Sequence, residues 1–141
     1  MKKLLPLVLV ALLVQGCAST GSVKKAGYVG LSVAGQALFL IQNTEMGLVC
    51  DRPGAPPAPA CVSEALHTTE ISPRLAKAFA IGERASGTLR ALPPTISGAT
   101  PEVIAFVKQI WDLVGELMTL LPQSDPAKKL AAKVDALAAK K

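Results

Sequence analysis

Residues 101–121 read PEVIAFVKQIWDLVGELMTLL, and the spacing of their apolar side chains decides the fold class. Val103, Val107, Ile110, Val114, Leu117 and Leu121 recur at intervals of four and three, the repeat of one helix face. Ile104, Trp111 and Met118 follow one residue on, and Phe106, Leu113 and Leu120 widen the apolar side. Only Glu102, Lys108, Gln109, Asp112, Glu116 and Thr119, with Ala105 and Gly115, remain for a narrow wet stripe. A helix this broadly apolar needs two neighbours to cover it, so the spacing predicts the central helix of a bundle. Its ends are marked: Thr100 stands at the N-cap, Pro101 at the first helical position, Glu102 in the positive first turn, and Pro122 stops the helix.

Working outward, Ser72-Pro73 opens a second helix by the same logic, running to about Leu92 before Pro93-Pro94. Leu75, Phe79, Gly82, Ser86 and Leu89 form its expected seam, with Ala78, Ala85 and Leu92 beside it. Arg74, Lys77, Arg84 and Thr88 are expected in solvent. An earlier helix, Tyr28 to Leu48, is apolar except for Ser32, Gln36 and Asn43, which align on one face. It is either the most buried helix or one that meets lipid. Ser124 or Asp125 caps a last, basic helix, Pro126 to Ala139, with a stripe of Leu130, Val134 and Leu137. Residues 62–70 add at most a turn. No segment alternates with period two, so the fold class is all-α: three long helices and a weaker basic C-terminal one in a single small bundle over residues 28–141.

At the other end of the chain, Lys2 and Lys3 precede an apolar run from Leu4 to Val14, followed by Val14-Gln15-Gly16-Cys17. The apolar run is too short to span a bilayer. This segment resembles the signal peptide and lipobox of bacterial lipoproteins, which signal peptidase II cuts before an acylated cysteine. The resemblance covers residues 1–17 and implies that 1–16 are removed, that Cys17 carries the lipid, and that residues 17–27 hold a short tether, Ser22 to Ala26. Acyl chains on one residue bind a bilayer durably, since each buried methylene contributes about 0.8 kcal/mol. Ala18 and Ser19 follow Cys17, with no Asp of the kind that retains such proteins in the inner membrane of enteric bacteria. By that resemblance the protein faces the periplasm from a membrane anchor, the outer membrane being favoured. An ordinary secretory signal cut elsewhere is the competing reading.

Without residues 1–16, 125 residues remain, enough for one domain. The whole chain carries +5, and loss of Lys2 and Lys3 leaves 13 basic groups against 10 acidic. Residues 124–141 hold five Lys and two Asp, so the basic excess belongs to the tail. With few aromatics and none interleaved with the basic residues, no nucleic-acid footprint is present. If Cys17 is acylated, Cys50 and Cys61 remain as a pair in an oxidising compartment, and a disulfide between them closes the Pro-rich loop 50–61 with its four prolines. The rival, a metal site on two thiols, lacks further ligands at suitable spacing.

The chemistry-bearing residues are sparse. His67 is the sole histidine, beside Thr68, Thr69 and Glu70, with no nucleophile motif around it. Ser63 and Ser72 stand where helix caps belong, and Asp112 and Glu116 continue a charge ladder from Lys108. Gly27, Gly30 and Gly35 follow no strand and precede no Gly-Lys-Ser or Gly-Lys-Thr, so they are not a phosphate loop. The sequence therefore points to no catalytic residue, no metal, no cofactor and no enzyme. Its leading functional expectation is a lipid-anchored structural or interaction module, presenting the Gly82 and Ser86 seam or the basic tail to an envelope protein or to a second copy. One alternative is a membrane-active protein with an inserting Gly-rich first helix, broadly similar to lysis-type lipoproteins of phage or prophage. Another is attachment to peptidoglycan through Lys141, similar to the C-terminal lysine of the major outer-membrane lipoprotein of enteric bacteria. Carriage of a small apolar ligand in the bundle core is a further one.

Overall fold

The structure, a computed structural model, describes residues 20–93 and 100–140. The expected signal peptide, Cys17 and Lys141 lie outside the described residues. Helix α1 is Thr20–Leu48, α2 Glu64–Leu66, α3 Ser72–Ala91, α4 Pro101–Leu120 and α5 Asp125–Ala138, with a π-helical turn, His67–Ile71, joining α2 to α3. The expected all-α bundle is the observed fold. Among the described residues the sole β feature is an isolated parallel bridge, Val49 to Val62, at the base of the Pro-rich loop.

The central position goes to α1 instead of the helix at 101–121. α1 packs against α3, α4 and α5, whereas α4 packs mainly against α3 and α1. The apolar width of α4 is used otherwise: Val103, Ile110, Leu113, Val114 and Leu117 are buried, Phe106, Val107, Trp111, Met118 and Leu120 are half-buried, and Ile104 stands 54% exposed. Every residue of the expected wet stripe is exposed. α1 is also longer than expected, because the helix runs through Ser22 to Ala26, the residues expected as the tether. Its buried residues Val33, Ala34, Ala37, Leu38 and Ile41 account for its hub position: two alanines with no exposed area let neighbouring backbones close in.

Gly27 makes the tightest approach, where an added Cβ would lie 2.8 Å from the Leu89 side chain of α3. Gly30 faces Val107 and Gly82 faces Ile110 at ordinary van der Waals distance. Gly27, Gly30 and Gly82 thus face side chains of neighbouring helices, whereas an added Cβ at Gly35 would meet nothing within 4 Å. Contact of Gly27 with the far end of α3, and of His67 with Glu45 near the close of α1, makes these helices antiparallel.

Ser72 does not open α3. Its backbone is helical, its N–H bonds to the His67 carbonyl five residues back, and the run 64–91 is one continuous helix whose true start is Ser63. There the Ser63 hydroxyl accepts from the Leu66 N–H at 3.2 Å. Pro73 explains the π turn, since it has no N–H to give the preceding turn and its ring crowds it. The loosened register is held by side chains: Thr68 Oγ1 donates to the Glu64 carbonyl at 2.9 Å, Thr69 Oγ1 to that of Ala65 at 2.7 Å, and Arg74 Nη1 to that of Glu70 at 2.9 Å. The seam of α3 is rotated accordingly. Leu75, Ala78, Ile81, Ala85 and Leu89 are buried, while Phe79, expected inside, is 37% exposed and Gly82 and Ser86 are half-buried.

At α4, Thr100 has the extended backbone of an N-cap but its side chain makes no cap bond. Ser124 does cap α5, accepting from the Ala127 N–H at 3.3 Å. Leu130, Val134 and Leu137 are buried as expected, joined by Ala127. Gly87 in α3 and Gly115 in α4 are exposed with nothing within 4 Å of an added Cβ. Gly87→Ala and Gly115→Ala are each expected to raise the unfolding free energy by about 1 kcal/mol, measured by denaturant melts, through helix propensity alone.

Candidate functional site

Among the described residues, three features stand out for chemistry and recognition: a Glu–His pair beneath the Pro-rich loop, an open cleft between α1 and α3, and the outward face of α1.

The pair joins Glu45 of α1 to His67 of the π turn, with Nδ1 and Oε1 2.5 Å apart. Glu45 is fully buried and His67 partly, at 15% side-chain exposure. Glu45 Oε2 is buried with no hydrogen-bond partner. A carboxylate in that position is held by the imidazole alone, which makes His67 a structural necessity for Glu45. The sequence placed His67 as an isolated polar residue and passed over Glu45. A signal was present, because Glu45 is the one charged residue between Lys25 and Asp51. Above the pair the chain leaves α1, turns at Asp51 (φ 65°) and Gly54 (φ 82°), and returns through Val62, whose N–H bonds to the Leu48 carbonyl at 2.8 Å. Cys50 and Cys61 are disulfide-bonded across a Cα–Cα distance of 5.1 Å, as expected. Arg52 Nη1 donates to the Met46 carbonyl at 3.4 Å, folding the loop onto the end of α1 where the helix dipole favours a cation.

The cleft has a volume of about 510 Å³ and lies between Leu31, Gly35 and Leu38 of α1 and Phe79, Gly82 and Ser86 of α3. Glu83 and Arg90 line it too. Gly82 and Ser86, expected as a packing seam, therefore border open space beside a half-exposed phenyl ring.

The outward face of α1 carries Ser32, Gln36 and Asn43, as the sequence placed them, together with Gln42. Between them stand the exposed apolar side chains Tyr28, Val29, Phe39 and Met46, with Phe39 at 59% exposure. From Gly27 to Leu48 this face has no charged residue, since Glu45 points inward. The other outward faces differ: Lys108 pairs with Asp112 at 2.9 Å on α4, and Arg74 bridges Glu70 to Glu116 of α4, the latter at 3.3 Å. Arg74, expected in solvent, is thus held between two carboxylates, which raise its already high pKa. α5 exposes Lys128, Lys129 and Lys133.

Among the described residues no three His, Cys, Asp or Glu side chains converge as a metal site, and no helix is long and apolar enough to cross a membrane. Comparison with known protein families, characterised proteins and solved structures finds no match to this chain.

Proposed function

We propose that this protein is a lipid-anchored lipoprotein of the bacterial cell envelope, a non-enzymatic helical bundle that acts as a structural or interaction module. The observation that carries this is the register of Lys2-Lys3, the Leu4 to Val14 apolar run and Gly16-Cys17 at the head of the chain. Cys17 is the acylated residue in this reading. The bundle then hangs on the periplasmic side of a membrane, the outer one favoured by Ala18-Ser19, and offers its surface to an envelope protein or a second copy. Two structural facts support it: a disulfide-closed loop suits an oxidising compartment, and a hub helix packed on three neighbours suits a folded body whose hold on the membrane is its lipid.

Mass spectrometry of the envelope protein is expected to find an N-terminal peptide starting at modified Cys17, and Cys17→Ser is expected to release the body from carbonate-washed membranes. An unmodified N-terminus downstream of Cys17 would remove the anchor. A de-acylated protein that still needs detergent for extraction would favour insertion of α1.

A further inference from the structure

We propose that the uncharged outward face of α1 lies along the anionic phosphate surface of the membrane to which the protein is anchored, with Lys129 and Lys133 of α5 as its cationic edge. This deepens the anchor reading and rests on it.

Two geometric facts point there. First, α1 begins at Thr20, three residues beyond Cys17, and three residues reach at most about 10 Å. A lipid on Cys17 therefore holds the start of α1 at the headgroups, with no spacer to lift the bundle away. The exposed apolar residues then run from Tyr28 to Met46, roughly 27 Å of helix at 1.5 Å per residue, all on one side and without a charge among them. An interfacial helix buries such side chains some 5–10 Å into the headgroup boundary, where aromatic rings and uncharged amides are both accommodated.

Second, the neighbouring helix supplies the complementary charge. Ala127, Lys128 and Ala131 of α5 form a small cleft with Met118 and Leu121, so that flank turns toward α4. At 100° per residue, Lys129 and Lys133 fall on the other flank, turned away from α4 on a helix that packs on α1, whereas Asp135 falls with Lys128 and Asp125 lies about 40° outside Lys129. Both lysines are exposed and neither forms an ion pair among the described residues. A second copy packed antiparallel on this face would set one cationic edge against the other. A phosphate surface complements it, each lysine near an anionic leaflet adding to the attraction.

With Cys17 acylated and Cys50 and Cys61 joined, Phe39→Cys provides the single free thiol for a nitroxide label, and Gln109→Cys on the wet stripe of α4 provides a control. Each acylated, labelled protein is reconstituted into phosphatidylcholine vesicles with and without phosphatidylglycerol, after mass spectrometry of its N-terminus. The label at 39 is expected to be more accessible to oxygen than to a water-soluble nickel chelate in the anionic vesicles, and the label at 109 the reverse. Replacing both Lys129 and Lys133 by Ala is expected to lower the ratio of docked to undocked protein roughly 30-fold, about fivefold per lysine. Chelate-dominated accessibility at 39 in acylated, vesicle-bound protein overturns the placement and leaves the anchor standing. Spin–spin broadening at 39 assigns the face to a second copy and overturns it likewise. Docking undiminished by the Ala pair overturns the cationic edge, and an unmodified Cys17 overturns anchor and placement together.

Discussion

His67→Ala is expected to lower the unfolding free energy by about 3 kcal/mol, among the largest effects of any single substitution outside the apolar core. Glu45 has no exposed area, its Oε2 has no partner, and His67 Nδ1 supplies its one hydrogen bond. Truncating the imidazole removes that donor and leaves a fully buried carboxyl group with no hydrogen-bond partner. Replacing both members should cost much less. Glu45→Leu with His67→Leu removes the desolvated groups and fills their space, so the double variant is expected to lie within about 1.5 kcal/mol of the parent. Denaturant melts of the two single variants and the double variant give the coupling directly. A His67→Ala protein as stable as the parent would mean that the pair contributes nothing to the fold.

The second large effect belongs to the disulfide that closes the Pro-rich loop. Cys50→Ser with Cys61→Ser is expected to cost about 3 kcal/mol, the loop-closure entropy for a sequence separation of 11. Two backbone bonds remain across the same neck, Cys50 N–H to the Val62 carbonyl and Val62 N–H to the Leu48 carbonyl, each 2.8 Å. The serine variant should therefore fold to the same bundle and melt earlier, and parent protein treated with a reductant should melt with it. Far-UV dichroism against denaturant checks both. Equal midpoints in the oxidised and serine proteins would show that the two-bond neck is sufficient without the covalent link.

Local chemistry settled the elements. Pro101 and Pro122 bound α4 wherever it packs, because a missing N–H and a fixed φ act within one turn. Ser124 caps α5 and Ser63 caps α2 for reasons equally local, and Cys50 and Cys61 flank one short Pro-rich loop, which makes them the expected pair once Cys17 is set aside for the lipid. The wet stripe of α4 and the Leu130, Val134 and Leu137 stripe of α5 were legible too, each being the one polar or apolar arc available at helical spacing.

What the tertiary structure decided are the choices that local spacing leaves degenerate. In α3, the sets Leu75-Phe79-Gly82-Ser86-Leu89 and Leu75-Ala78-Ile81-Ala85-Leu89 both repeat every three or four residues. Only the surfaces of α1 and α4 select the second, leaving Phe79 at a cleft. Ser72-Pro73 reads as a helix start because a proline there is normally fatal to the preceding turn, but a π turn with three side-chain donors absorbs it. Centrality passed from α4 to α1 because alanines permit closer approach than bulky aliphatic and aromatic side chains, a property of pairs of helices and not of one. Glu45 and His67 stand 22 residues apart in sequence, and their juxtaposition exists only once α1 and the returning chain are antiparallel. The flank of α5 that borders α4 has the same origin, since a helix wheel groups Ala127, Lys128 and Ala131 but only packing sets them against Met118 and Leu121.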